Sequence, residues 1–164
     1  MLGMNAAKAQ IQTPDTTART FIINASIGNM QEIVSGKIAA EKAVSPEVKA
    51  FANRMVADHS KAEQQLLQLA KQKGYQIPPE ATETPVPEPM LEQATGKEFD
   101  KMYVHMMVPG HRNTVYMFET YAIGGKDLDV KAFAQQTLPT LKQHLAMITA
   151  IDDRMTKMIA LRSE

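Results

Sequence analysis

The chain has no cysteine in its 164 residues, which excludes disulfides and thiolate metal sites. It lacks an excess of either charge. Eighteen basic residues balance eighteen acidic ones, an argument against nucleic acid or an anionic membrane surface as partner. It lacks any apolar run near the ~20 residues that a transmembrane helix needs. Aromatic residues make up only 5% of the chain. Gly-rich phosphate loops and Ser-centred elbows are also missing. What it does have is methionine, at twelve residues. Flexible thioethers filling an irregular helical core are the expected use, and ligation of a soft metal is the other.

The pentapeptide Val-Lys-Ala-Phe-Ala occurs twice, at Val48–Ala52 and Val130–Ala134. Each copy follows a helix-start signal and precedes a histidine, His59 or His144. The repeat predicts two related helical hairpins in one bundle. Four long helices follow from period and caps. The first starts at Pro14 and runs to about Ala43, with an apolar stripe of Ile23, Ile27, Met30, Val34 and Ile38. Ser45-Pro46-Glu47 opens the second as a cap, a first-turn proline and a favourable acid, and Gly74 stops it. Thr95 with Glu98 has the form of a capping box for the third, which Gly124-Gly125 ends. Asp127 caps the fourth.

Between the second and third helices, residues 75–94 carry Pro78, Pro79, Pro85, Pro87 and Pro89. Such a segment is extended and stiff, and long enough to return along the bundle. The expected fold is therefore all-α: a ferritin-like four-helix bundle of two antiparallel hairpins joined by a long Pro-rich crossover. Residues 14–161 are expected to form one domain. Residues 1–13 are expected to be a signal-peptide remnant, because Ala7-Lys8-Ala9 before Gln10 has the small-x-small form of a cleavage site, or else a disordered N-terminus. The cleavage-site reading makes the protein exported, in the periplasm or envelope. Pro109 and Pro139 fall inside helices, close before His111 and His144, where each removes a backbone bond and is expected to kink its helix.

Helical geometry sorts the four histidines. At 100° per residue, His59 shares a line with Met55 and Leu66, His111 with Met107 and Val115, and His144 with Phe133 and Ile151. All three are expected inside. His105 falls with charged residues and is expected outside. Counted along the bundle, the three inward histidines spread over roughly 8 Å, close enough to converge. Glu32, on a side of the first helix with Ala25, Gly28 and Gly36, stands at the same level. Three imidazoles and one carboxylate make a candidate transition-metal site for Zn, Fe, Cu or Mn. The other reading of these histidines is structural, each bonded to a carbonyl or hydroxyl. Di-iron bundles carry Glu-x-x-His on two helices. Here Val56 and Leu141 stand three residues before His59 and His144, which argues against oxygen chemistry. Asp58 is next to His59 but points elsewhere on the helix.

Several segments resemble a bacterial ferritin-like family, domain of unknown function 4142, often labelled outer membrane proteins. They are Glu32-Ile33 with Gly36, Val48–Ala52 continuing to Asp58-His59-Ser60, Glu98-Phe99-Asp100 with Tyr103, then His111, and Thr137–Leu141 running to His144. Pro109-Gly110 departs from the polar pair expected before the third histidine. The resemblance implies a secreted or envelope-associated helical bundle and no particular activity. Three functional readings follow. A non-enzymatic metal-binding bundle, for storage, buffering or envelope stress, needs the histidines to converge. A structural or protein-interaction bundle, including a homo-oligomer formed through the first helix, needs a separate partner for each. An enzyme using the metal as a Lewis acid needs an open coordination position and a cleft.

Overall fold

A computed structural model describes residues 16–160. The expected helix start at Pro14, the segment 1–13 and residue 161 lie outside the described residues. Four long helices, α1 (Thr16–Lys42), α2 (Pro46–Lys73), α4 (Gly96–Gly124) and α5 (Leu128–Ala160), form the bundle, with a short α3 (Pro89–Gln93) in the crossover. No strand occurs among the described residues. Cross-helix bonds give the directions. Asn29 meets His59 and Ser26 meets Glu63, so α1 and α2 are antiparallel. Phe51 lies against Tyr103 and His59 against His111, so α2 and α4 run the same way. Lys73 reaches Asp129 and Arg154 reaches Glu47, so α5 runs opposite to α2. This is the ferritin-like arrangement of two hairpins and one long crossover.

The helix ends show which local signals act. Gly74 adopts a left-handed conformation (φ 72°), and the Tyr75 N–H returns to the Ala70 carbonyl at 2.9 Å, closing α2. Asp127 Oδ1 accepts the N–H groups of Asp129 and Val130 and caps α5. Two expected caps differ. Ser45 and Thr95 sit at N-cap positions with extended backbone, but neither side chain makes a capping bond. Asp100 of α4 instead serves the turn before α2, accepting from the N–H groups of Val44 and Ser45 at 3.0 and 2.7 Å. A buried carboxylate from another helix thus satisfies the α1–α2 turn.

The inward face of α1 also differs from the expectation. Of the Ile23–Ile38 stripe, none is fully buried and Ile27 is 36% exposed. The buried face is instead Ala18, Phe21, Ile22, Ala25, Ser26, Asn29, Ile33, Gly36 and Ala39. Its small residues let α1 approach α2 closely. A Cβ built on Gly36 would meet Val56 Cγ2 at 3.0 Å and the Ala52 carbonyl oxygen at 3.2 Å. Close backbones bring the short side chains of Ser26 and Asn29 within reach of α2.

The crossover is anchored at two places. Ala81, in a 3₁₀ turn (Pro79–Ala81), is buried, and its carbonyl accepts from Ser26 Oγ at 3.0 Å. Leu91 of α3 is buried in the core, and Lys42 donates to the carbonyl of Glu92.

Two apolar clusters fill the bundle. One holds Phe21, Leu66, Phe118 and Phe133, and the other holds Phe51, Met55, Phe99, Tyr103 and Ile148. The two copies of the pentapeptide divide between them: Val130, Phe133 and Ala134 in the first, Val48, Phe51 and Ala52 in the second. Between the clusters lies a polar layer.

Candidate metal centre

That layer consists of His59, His111 and His144, at 4%, 1% and 1% exposure. Each stands within one or two helical turns of an apolar residue of both clusters: Met55 and Leu66, Met107 and Val115, Leu141 and Ile148. The three rings form a nearly regular triangle, with centroids 5.9, 5.5 and 5.6 Å apart. One nitrogen from each ring lies within 4.8 Å of the other two. A point exists no more than ~2.8 Å from all three, against ~2.0–2.1 Å in a Zn–N bond, so a small inward movement of the rings would close the gap.

Each ring uses one nitrogen on a fixed acceptor. His59 Nδ1 lies 3.0 Å from Asn29 Oδ1, and His111 Nδ1 lies 3.0 Å from the Met107 carbonyl. His144 Nε2 lies 2.8 Å from Asp58 Oδ2. Carbonyl, amide and carboxylate oxygens only accept here, so these nitrogens carry the protons. The opposite nitrogens, His59 Nε2, His111 Nε2 and His144 Nδ1, then hold bare lone pairs. All three are buried and make no hydrogen bond. Unpaired buried acceptors are costly in an apolar interior, and three of them on rings whose nitrogens come this close suit a cation.

The surroundings keep the rings neutral. Burial, helped by the His111 and His144 rings, pushes His59 down to about 3. Burial pushes His111 down to about 4, against an opposing effect of the Met107 carbonyl. Burial also lowers His144, against the bond to Asp58. Phe51 lies edge-on to His111 and His144 and keeps water from them.

The acceptors are held in turn. Asn29 Nδ2 donates to Glu63 Oε2 at 2.9 Å, which orients its Oδ1 toward His59. Ser26 Oγ bonds the other Glu63 oxygen. Burial raises Glu63, against these two bonds. Asp58 also takes Arg54 Nε at 3.2 Å, and Arg54 reaches Gln143 and Met147 of α5. Burial would raise Asp58, but His144 and Arg54 together hold it below the usual carboxylate range.

Glu32 stands at the edge of this layer. Its side chain is 13% exposed, with Oε1 3.6 Å from His111 Nδ1. It therefore faces the nitrogen that His111 has turned to Met107, not the unpaired Nε2 of the same ring. Glu32 Oε2 is buried and makes no hydrogen bond, and burial raises the group to about 8. His105 is exposed, as its helical position predicts. Asp58, Asn29 and Glu63 are the residues that sequence reasoning missed. Asp58 does point away from His59, but toward His144, 86 positions further along the chain.

Known structures share this fold. CopM in its Cu(I)-bound form matches with TM-score 0.70 and 16% identity, over 84% of this chain and 96% of that one. A protein containing DUF305 from Streptomyces coelicolor, described as secreted, matches with TM-score 0.69 and 13% identity, over 82% and 91%. A DUF305 fragment from Deinococcus radiodurans matches with TM-score 0.68 and 15% identity, over 87% and 97%. At these identities the likeness shows the fold alone. No curated protein matches the sequence. Residues 3–151 match the domain of unknown function DUF4142, and the chain belongs to that family.

Proposed function

We propose that the protein is an exported metal-binding bundle that holds one transition-metal ion through His59 Nε2, His111 Nε2 and His144 Nδ1. The observation that carries this is the set of three buried lone pairs, each on a ring whose other nitrogen is fixed by an acceptor. Three neutral imidazoles suit copper and zinc better than magnesium or calcium. Among these we favour copper, because the similarly folded CopM holds Cu(I). Iron and manganese remain arms of the test. Asn29, Met107 and Asp58 are assigned to hold the rings. Glu32 acts beside His111 rather than on the triangle.

The depth of the site supports storage or buffering over catalysis. Rings with at most 4% exposure leave a substrate no approach to the ion. Export is supported by the description of the S. coelicolor protein. No helix among the described residues is long and apolar enough to cross a membrane. The purely structural reading leaves three buried acceptors unsatisfied in one layer, which disfavours it.

Elemental analysis and titration of the apo protein with Cu(I), Zn(II), Fe(II) and Mn(II) test the reading. One ion per chain is expected, lost in His59→Ala, His111→Ala and His144→Ala. A wild-type protein that takes up none of the four at micromolar concentration would overturn it.

A further inference from the structure

The three rings have no face on the surface, so an ion needs a path inward. Two cavities approach the layer from opposite sides. One, of about 220 Å³, lies between α1, α4 and the crossover. Glu32, Met107 and Gly110 line its inner part, and Val86 and Glu88 its outer part. These inner residues flank His111: Gly110 precedes it, Met107 accepts its Nδ1 proton and Glu32 stands 3.6 Å from its ring. Two carboxyl groups and no Lys or Arg line this cavity. A Cβ on Gly110 would meet only Glu32 Oε1, at 3.9 Å, so the absence of a side chain there keeps the passage open.

The other cavity lies between α2 and α5 and reaches Asp58. Lys61 lines it, and Asp58 is already engaged by Arg54 and His144. A cation entering there meets a like charge and a neutralised carboxylate. In the first cavity no Lys or Arg stands in the way, and Glu32 offers Oε2, which has no partner and becomes an anionic ligand once its proton is released.

We propose that the cavity beneath the Pro85–Glu88 stretch of the crossover is a transit site for the metal cation, where Glu32 binds the ion first and passes it to His111. This rests on the metal-binding reading above. The step is a ligand exchange without redox change: Glu32 releases its proton to solvent as the ion binds, and the ion then leaves the carboxylate for His111 Nε2, while His111 Nδ1 keeps its proton and its bond to the Met107 carbonyl. Thioether sulfur on Met106, in the same wall, fits a soft monovalent ion in transit as well as a divalent one.

Stopped-flow uptake of Co(II) and of Cu(I) by the apo protein separates rate from affinity. Gly110→Leu and Ser35→Leu fill the cavity from opposite walls, so one remains informative if the other does not fold. Each is expected to slow uptake on the order of tenfold, with equilibrium affinity within about threefold of wild type. Glu32→Gln, which cannot release a proton to become an anionic ligand, should slow uptake by a similar order while leaving the three rings in place. Thr140→Leu, filling the α2–α5 cavity, should load at the wild-type rate. Wild-type uptake rates in folded Gly110→Leu or Ser35→Leu, or slowing confined to Thr140→Leu, would overturn the path and leave the metal centre standing. Equilibrium titration of the same wild-type sample distinguishes the two failures. If it binds neither ion, the centre fails and the path with it.

Discussion

His59 and His111 set much of the acid behaviour of the molecule. A histidine in an unfolded chain takes its proton near ~6.5. Folded, the two are pushed down to about 3 and about 4, and His144 is also lowered. Below ~6.5 the unfolded chain therefore binds more protons than the folded one, so stability is lost as pH falls. Glu32 acts in the opposite sense. Raised to about 8, it keeps a proton that an unfolded carboxyl has given up, and this contribution is lost as pH rises through about 8. Glu63 is shifted the same way. Between ~4.5 and ~6.5 three lowered histidines outnumber two raised carboxyls, and above that only the carboxyl shifts remain. The apo protein should melt at its highest temperature near pH ~6.5, with Glu32→Gln flattening the alkaline side. A wild-type Tm that climbs steadily to pH ~9 would contradict this. The same low histidine values predict that bound metal resists protons down to about pH 5, checked by chelator-free dialysis across a pH series. Asp58→Ala leaves the His144 Nε2 proton without its acceptor. Metal affinity should drop about 10–100-fold, read by competition titration, with secondary structure unchanged.

At the scale of the element, α1 is the helix whose phase hydropathy misjudges. Its Ile, Met and Val residues form a clean stripe at helical spacing, yet they are half-buried or exposed. The packed face joins Phe21, Ile22 and Ile33 to Ala, Ser, Asn and Gly residues, because closeness to α2 matters there as much as apolar bulk. Gly36 marks the closest approach, so Gly36→Ala should cost about 1–3 kcal/mol as Val56 and the Ala52 carbonyl are pushed aside. Urea denaturation measures it, and a change under ~0.5 kcal/mol would show that the helices separate freely. The periodicity of α2, α4 and α5 was legible for the opposite reason. Their inward positions carry large side chains such as Phe51, Val115 and Ile148, and their histidines fall on the same lines.

Across the whole molecule, the histidine layer ties α2, α4 and α5 together between two apolar clusters that otherwise pack separately. An ion there would link three helices at mid-height and bind only the folded chain. At a free concentration of ~100 times Kd it contributes ~2.7 kcal/mol, a Tm rise on the order of 5–10 °C for a chain of this size. Calorimetry with and without metal reads this rise, and His111→Ala should abolish it while keeping the apo Tm measurable. An equal rise in that variant would place the ion elsewhere.

Periodicity, the proline segment and the repeat by themselves determined four helices, their order and the inward facing of three histidines, since these depend on local spacing along one helix. Whether those rings meet, and with which nitrogens, was decided only by tertiary packing. His144 finds Asp58 across 86 residues, and Asn29 finds His59 because Gly36 and Ala25 let α1 come close. A hydrogen bond needs two groups within about 3 Å, and the sequence records each group's helix but not the distance between helices.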